Sequence, residues 1–288
     1  MKNDFLTHLR NTELSDLLKV FSQRTWRRLG FCQRHKEVKT FETTITQNLI
    51  FDLLEFVQLT ETPKLRLLEA RDESANGNDI EVFVQHGDGY ILFPTQAKSL
   101  YPSGKYEKIN HQSGGKFQIH ALLEYAIKRQ GIPLYLFYNY YPLRKDVAAW
   151  EDVFGFGHDC FGCSLVNAHL IAGRYFDAAN VRWSIPGFLD LHPRPAIPLF
   201  QLVDVEQVEI LWENSKKHVP ELALYTDKEV FDRRYWIDRT PPPAISGLPQ
   251  EVHFFQDAVE LGIPEFKPKF RMVLNKDKQS SAAIYRLG

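Results

Sequence analysis

The sequence has no run of about eighteen apolar residues, so no segment is long enough to cross a bilayer as a helix, and no membrane partner is expected. It also lacks the form of a signal peptide. MKNDFLTHLRNTELSDLL spreads charges along the opening stretch, with no uninterrupted apolar segment. Cysteine is scarce. Cys32, Cys160 and Cys163 are the only three, too few and too unevenly spaced for a disulfide framework, and a reducing, cytoplasmic compartment is the expectation. An excess of one charge is missing too: the net charge is −1, which excludes a strongly basic surface over the whole protein.

What is present is 288 residues, 44% of them hydrophobic, enough for one substantial core or one core with a smaller appendage. Charge is unevenly placed. Residues 1–40 hold nine Lys and Arg against four Asp and Glu, densest in TWRRLGFCQRHKEVK. From Lys98 to Arg129 there are six bases and two acids, whereas residues 204–229 are acidic. A basic face beside an acidic one suits a polyanionic ligand, and solvated surface explains either run taken alone.

Apolar spacing predicts helices over 3–23 and over ETTITQNLIFDLLEFVQL, the second capped by Thr43 or Thr44 and ended by Pro63. LRLLEAR (65–71), IEVFV (80–84) and YILFPTQAK (90–98) read as strands, the last two joined by a turn at Asp88-Gly89. Pro94 predicts an edge or a bulge. A helix over 116–130 and a buried strand over 132–141 complete the order helix, three strands, helix, strand, which is an α/β core with a mixed sheet. Three parts follow: a basic helical segment (1–39), the core (40–141), and a C-terminal elaboration or second subdomain (142–288). In that last part VRWSI, LFQLV and FRMVL are strand candidates among Gly/Pro-rich stretches.

The hairpin carries unusual polarity. Alternation puts Asp79 and Glu81 on one face of the first arm, and Gln96 and Lys98 on one face of the second. The hairpin register brings the Asp79 end close to the Gln96–Lys98 end, so a carboxylate, an amide oxygen and an ammonium converge. Carboxylate and amide oxygens are hard ligands for Mg²⁺ or Mn²⁺. Such an ion polarises a phosphodiester, and a lysine positions the attacking water and offsets charge on phosphorus. Glu81 is either an alternative ligand or plain surface.

The pairing of "ND" with "QAK" on the next strand resembles the PD-(D/E)xK signature of restriction-endonuclease-like nucleases, in the variant with Gln in place of the acid. Asn78 stands where that motif has proline. The αβββαβ order is similar to that superfamily's core, and the pattern through "PLYLFYN" resembles an uncharacterised bacterial family within it. The resemblance covers about residues 40–141. It implies a metal-dependent DNA endonuclease with Asp79, Gln96 and Glu42 as metal ligands and Lys98 beside the nucleophile. It adds Gln118, on the following helix, to the surroundings of the site. The basic N-terminal region and Lys105, Lys108 and Lys116 are expected to meet DNA phosphates, with Gln118 beside them. A homodimer and a role in restriction or antiphage defence are implied by the same route, and a regulatory protein partner is a further expectation. The alternative is a catalytically silent module that binds nucleic acid or a partner protein.

Two further features compete. His158, Cys160, Cys163 and His169 offer four zinc ligands at compact spacing, but they lie in apolar sequence, and buried thiols are the better reading. Phe137, Tyr138, Tyr140 and Tyr141 could stack bases, yet a continuous aromatic strand reads more readily as core.

Overall fold

The computed structural model describes residues 13–35, 37–60, 64–70, 79–113, 116–142, 150–177, 182–219, 221–231, 236–238 and 270–275. In chain order its principal elements are α1 (Leu14–Arg34), α2 (Glu42–Thr60), β1 (Leu65–Ala70), β2 (Asp79–His86), β3 (Gly89–Ser99), α3 (Gln118–Lys128) and β4 (Leu134–Tyr138). They continue with β5 (Cys163–Asn167), α4 (Ala168–Tyr175), β6 (Ile197–Pro198), α5 (Val205–Ser215), β7 (Trp236–Asp238) and β8 (Phe270–Leu274). The eight strands form one mixed sheet in the order β6-β5-β4-β3-β2-β8-β1-β7.

The hairpin of β2 and β3 is the centre of that sheet. Its turn is Gly87-Asp88, one position before the expected Asp88-Gly89, with Gly87 at a φ of +57 that a side chain would resist. His86 pairs with Gly89, and Asp79 pairs with Gln96. Moving a two-residue turn by one position changes each partner by two, so every side chain keeps its expected face. Pro94 brings neither an edge nor a bulge, because the ladder runs unbroken from Asp79 to His86. The main chain of Tyr90 bonds Tyr225, and the Leu92 carbonyl accepts from Ile132, both on the side away from β2. Pro94, two residues further on, turns its nitrogen the same way, just before the parallel ladder with β4 starts at Thr95.

Helices cover both faces. Leu14, Leu18 and Phe21 of α1 and Leu49, Leu53 and Phe56 of α2 recur at helical spacing and pack on Val82, Val84, Ile91, Phe93 and Ala97. Each such side chain contributes roughly 1.5–3 kcal/mol on burial. Ile119 and Leu122 of α3 pack on Tyr135 and Phe137 on the opposite face. A helix is what returns the chain to the far end of the sheet, so β4 runs parallel to β3.

β8 lies between β1 and β2, antiparallel to β1 and parallel to β2. The C-terminal part of the chain therefore enters the sheet of the core, and FRMVL, one of the strand candidates, forms a strand. LFQLV does not. It is a 3₁₀ turn over Leu199–Val203 with Leu199 and Leu202 buried, since a short apolar run serves either conformation. The first helix runs to Arg34, well past the expected 23, and residues 1–12 lie outside the described residues. Glu42, not a threonine, opens α2, so Thr43 and Thr44 lie in its first turn. Pro63 and the loop before β2 are also outside the described residues.

Candidate functional site

Gln96 and Lys98 project from β3 toward α3, on the face that also carries Tyr135 and Phe137 of β4. Both are buried, each 6% exposed. The Lys98 Nζ donates to Gln118 Oε1 at 2.8 Å, from the first turn of α3. The Gln96 Oε1 is buried and, among the described residues, has no hydrogen-bond partner. Asp79 is its directly opposed residue across the ladder, and the Asp79 side chain lies outside the described residues. The structure thus joins Lys98 with Gln118 and places Gln96 opposite Asp79.

Glu42 approaches from the other face. Its carbonyl accepts from Thr46 Oγ1 at 3.0 Å, and that hydroxyl meets the Tyr138 hydroxyl at 2.8 Å. Burial first, then Cys163, hold the Tyr138 hydroxyl well above its ordinary range, and the Glu42 carboxylate adds to that push. Tyr138 pairs with Ser99, one residue beyond Lys98, so Glu42 stands at the same end of the sheet on the α2 side. Lys105 and Lys108 are exposed, in the connection between β3 and α3. Gln118 is half-buried, and its amide oxygen serves Lys98. The Lys116 side chain is outside the described residues.

Glu81 is neither surface nor a ligand open to a metal. It is fully buried, and its Oε2 accepts from Arg271 Nε at 2.8 Å and from the Arg271 Nη2. Its Oε1 accepts from the Tyr125 hydroxyl, with Arg129 Nη1 at 3.8 Å. Burial and then the Glu81 carboxylate hold the Tyr125 hydroxyl far above its usual range, so it stays a donor. Gln118, Leu122, Tyr125 and Arg129 form one stripe along α3 and its C-cap, so a single helix face meets Lys98 at one end and Glu81 at the other. Sequence reading missed Arg271 and Tyr125. The signal was the lone arginine in FRMVL and the i, i+4, i+7, i+11 spacing along α3.

The Cys/His run has other partners. Cys160 and Cys163 are buried; His158 packs edge-on against Trp26, and His169 stacks on His218 with centroids 5.1 Å apart. Burial pushes the Cys163 thiol up to about 12. Among the described residues no three His, Cys, Asp or Glu are grouped to hold a metal. Tyr138 of the aromatic strand is core, fully buried with Phe137.

A buried polar network lies beside these residues. Asn139 Nδ2 donates to Phe161 O at 2.8 Å and to Ser164 Oγ at 3.0 Å, and its Oδ1 accepts from Tyr106 at 2.8 Å. His192 Nδ1 lies 3.0 Å from the Phe188 carbonyl, which can only accept, so Nδ1 carries the proton and Nε2 accepts from Ser164 Oγ at 2.7 Å. Ser164 is 0% and His192 2% exposed, which makes this hydroxyl–imidazole pair structural. Burial pushes His192 down to about 3, and burial followed by His218 pushes His169 down to about 4. An unfolded histidine titrates near 6.5. The stability these two provide is complete above about 6.5 and is lost as pH falls toward 4 and then 3, because only the unfolded chain binds the protons. The urea midpoint is expected to fall over that window, and His192→Gln to flatten the fall.

Among the described residues no helix is long and apolar enough to cross a membrane. Comparison with curated proteins and with solved structures returned no match. A sequence profile described as a family of unknown function, DUF6615, matches residues 14–285, nearly the full length, and the chain belongs to that family.

Proposed function

We propose that the protein is a metal-dependent DNA endonuclease acting at the β2–β3 end of the sheet, with a restriction-endonuclease-like core formed by α2, β1, β2, β3, α3 and β4. The observation that carries this reading is the Gln96 side-chain oxygen. It is a buried acceptor without a hydrogen bond among the described residues, opposite Asp79 in the ladder and two residues from Lys98 on the same face. Leaving such an acceptor unmade costs roughly 1–3 kcal/mol. A hard cation offsets that cost, and an amide oxygen beside carboxylates is a suitable donor set.

Asp79 and Gln96 hold Mg²⁺ or Mn²⁺ in this reading, and Glu42 assists directly or through water. The ion, when bound, polarises the phosphodiester and lowers the pKa of water. Lys98, held by Gln118 at 2.8 Å, orients the attacking water and offsets the charge that grows on phosphorus. Lys105, Lys108, Lys116 and the basic half of α1 contact phosphates and set the register of the duplex. One such site cuts one strand, so double-strand cleavage takes a homodimer.

A second reading is favoured by burial. Gln96 and Lys98 are each 6% exposed, which suits a nuclease-like module that binds nucleic acid or a protein without cutting. Supercoiled plasmid separates the two readings, incubated with Mg²⁺ or Mn²⁺ or with EDTA. Nicking by wild type that requires the metal and is absent in folded Lys98→Ala and Asp79→Ala is the expected result. No cutting by wild type, with equal DNA binding by all three proteins, favours the binding module.

A further inference from the structure

The outer face of α1 combines two features that neither solubility nor core packing explains. Arg27, Arg28, Phe31, Arg34 and His35 recur at helical spacing on the side opposite buried Leu18, Phe21 and Trp26, and all five are exposed. Phe31 is 47% exposed and lies flat against the His35 ring, with centroids 4.1 Å apart and an interplanar angle of 28°. The apolar character continues into the connection to α2, where Phe41 is 63% exposed. The positive charge is largely uncompensated. Among the described residues Arg27 pairs with Asp159 at 4.0 Å, and Arg28 and Arg34 are not ion-paired. Glu37, in the connection, is the exposed acid at the far end of the stripe.

The geometry points to a binding surface for unpaired nucleotides of a nucleic acid. A duplex offers phosphates to arginine but keeps its base faces stacked inside. A single strand offers both, phosphates for Arg27, Arg28 and Arg34 and an open base face for the Phe31–His35 pair. The surface leads to the candidate site, since Phe41 directly precedes Glu42. The substrate class that follows is DNA with a single-stranded region beside the cut. That statement rests on the nuclease reading, whereas the binding itself does not. A second copy of the chain could offer the acidic α5, with exposed Val205 and Ile210, to the same stripe. However, Glu213 of α5 pairs with Lys216, so part of that charge is already neutralised within the chain.

The test is fluorescence anisotropy in EDTA, where no cutting intervenes. The full chain is titrated into a fluorescein-labelled single-stranded oligodeoxynucleotide and into the blunt duplex of the same sequence. Wild type is expected to prefer the single strand. Phe31→Ala should weaken single-strand binding roughly tenfold and leave the duplex unchanged, with Phe31→Trp restoring it. Arg28→Gln should reduce the slope of log affinity against log salt by about 0.7 on the single strand. Equal loss on both ligands, or no effect of Phe31→Ala, overturns the proposal. So does a dimer in light scattering that Phe31→Ala disperses, which would assign the stripe to a second copy. Single-strand binding with the expected pattern but no metal-dependent cutting of a junction substrate rejects the nuclease reading and leaves this surface standing.

Discussion

Arg271→Ala is expected to cost the fold about 3–5 kcal/mol, the largest single loss anticipated for this chain, seen as a drop in the urea midpoint. Arg271 is 2% exposed and Glu81 is 0% exposed, so neither charge is solvated by water. The guanidinium satisfies the carboxylate with two donors and turns its remaining nitrogen to Val230 O at 2.6 Å, while its plane lies over the Phe83 ring at 4.6 Å. Alanine removes all of these contacts and leaves a buried carboxylate with, among the described residues, Tyr125 and the more distant Arg129. The loss measures the stranded Glu81, not the net worth of the pair. Glu81→Leu combined with Arg271→Met is therefore expected to recover most of it, since apolar side chains of similar volume replace a buried ion pair at little cost. A double variant as unstable as the single one would show that the Arg271 Nη1 bonds to the carbonyls of Val230 and, at 3.3 Å, Glu229, not the charge pair, hold β8.

Gly162→Ala is the second large effect. Gly162 ends the 3₁₀ turn before β5 and meets α1 backbone to backbone. A methyl group there would overlap the Ser22 carbonyl oxygen and fall 2.8 Å from the Trp26 nitrogen. Neither atom belongs to a flexible side chain, and both are locked in the helix, so α1 itself has to move. Moving it disturbs Trp26 and the Tyr140, His158 and Phe188 rings that meet it edge-on. The expected cost is about 3 kcal/mol or more, and the thermal midpoint should fall by roughly 6–12 °C. Gly173, with nothing near its missing side chain, is the control: Ala there should be tolerated.

These two sites show what could be read from the sequence and what could not. The central hairpin was legible because period-two alternation and a Gly/Asp turn are local signals. The facing of Gln96 and Lys98 survived even a displaced turn, because parity outlasts a shift of two. The register did not, since Gly87-Asp88 and Asp88-Gly89 satisfy the same turn chemistry. Glu81 was misread for a physical reason: an acid alternating with apolar residues looks like a wet strand face unless its counter-ion is known. That counter-ion lies 190 residues away, beyond any periodicity. Ser164 and His192 were invisible for the same cause, lying 28 residues apart and meeting only through β5 and the turn after Leu191. Of the candidate site, Lys98 and Gln118 are brought together, and Asp79 and Gln96 oppose each other in the backbone ladder. Glu42 reaches that end of the sheet through Tyr138, from the other side.

The position of β8 also governs when this sheet can be completed during synthesis. β1 and β2 leave the ribosome well before the strand that lies between them. At about 5–20 residues per second, the ribosome needs roughly ten to forty seconds to go from His86 to Leu274. Throughout that interval the nascent chain exposes the flanks of β1 and β2 that β8 will occupy, and the Glu81 carboxylate lacks its guanidinium. Folding of the amino-terminal half is thereby tied to the arrival of the carboxy-terminal strand, and a chaperone has tens of seconds in which to shield those flanks.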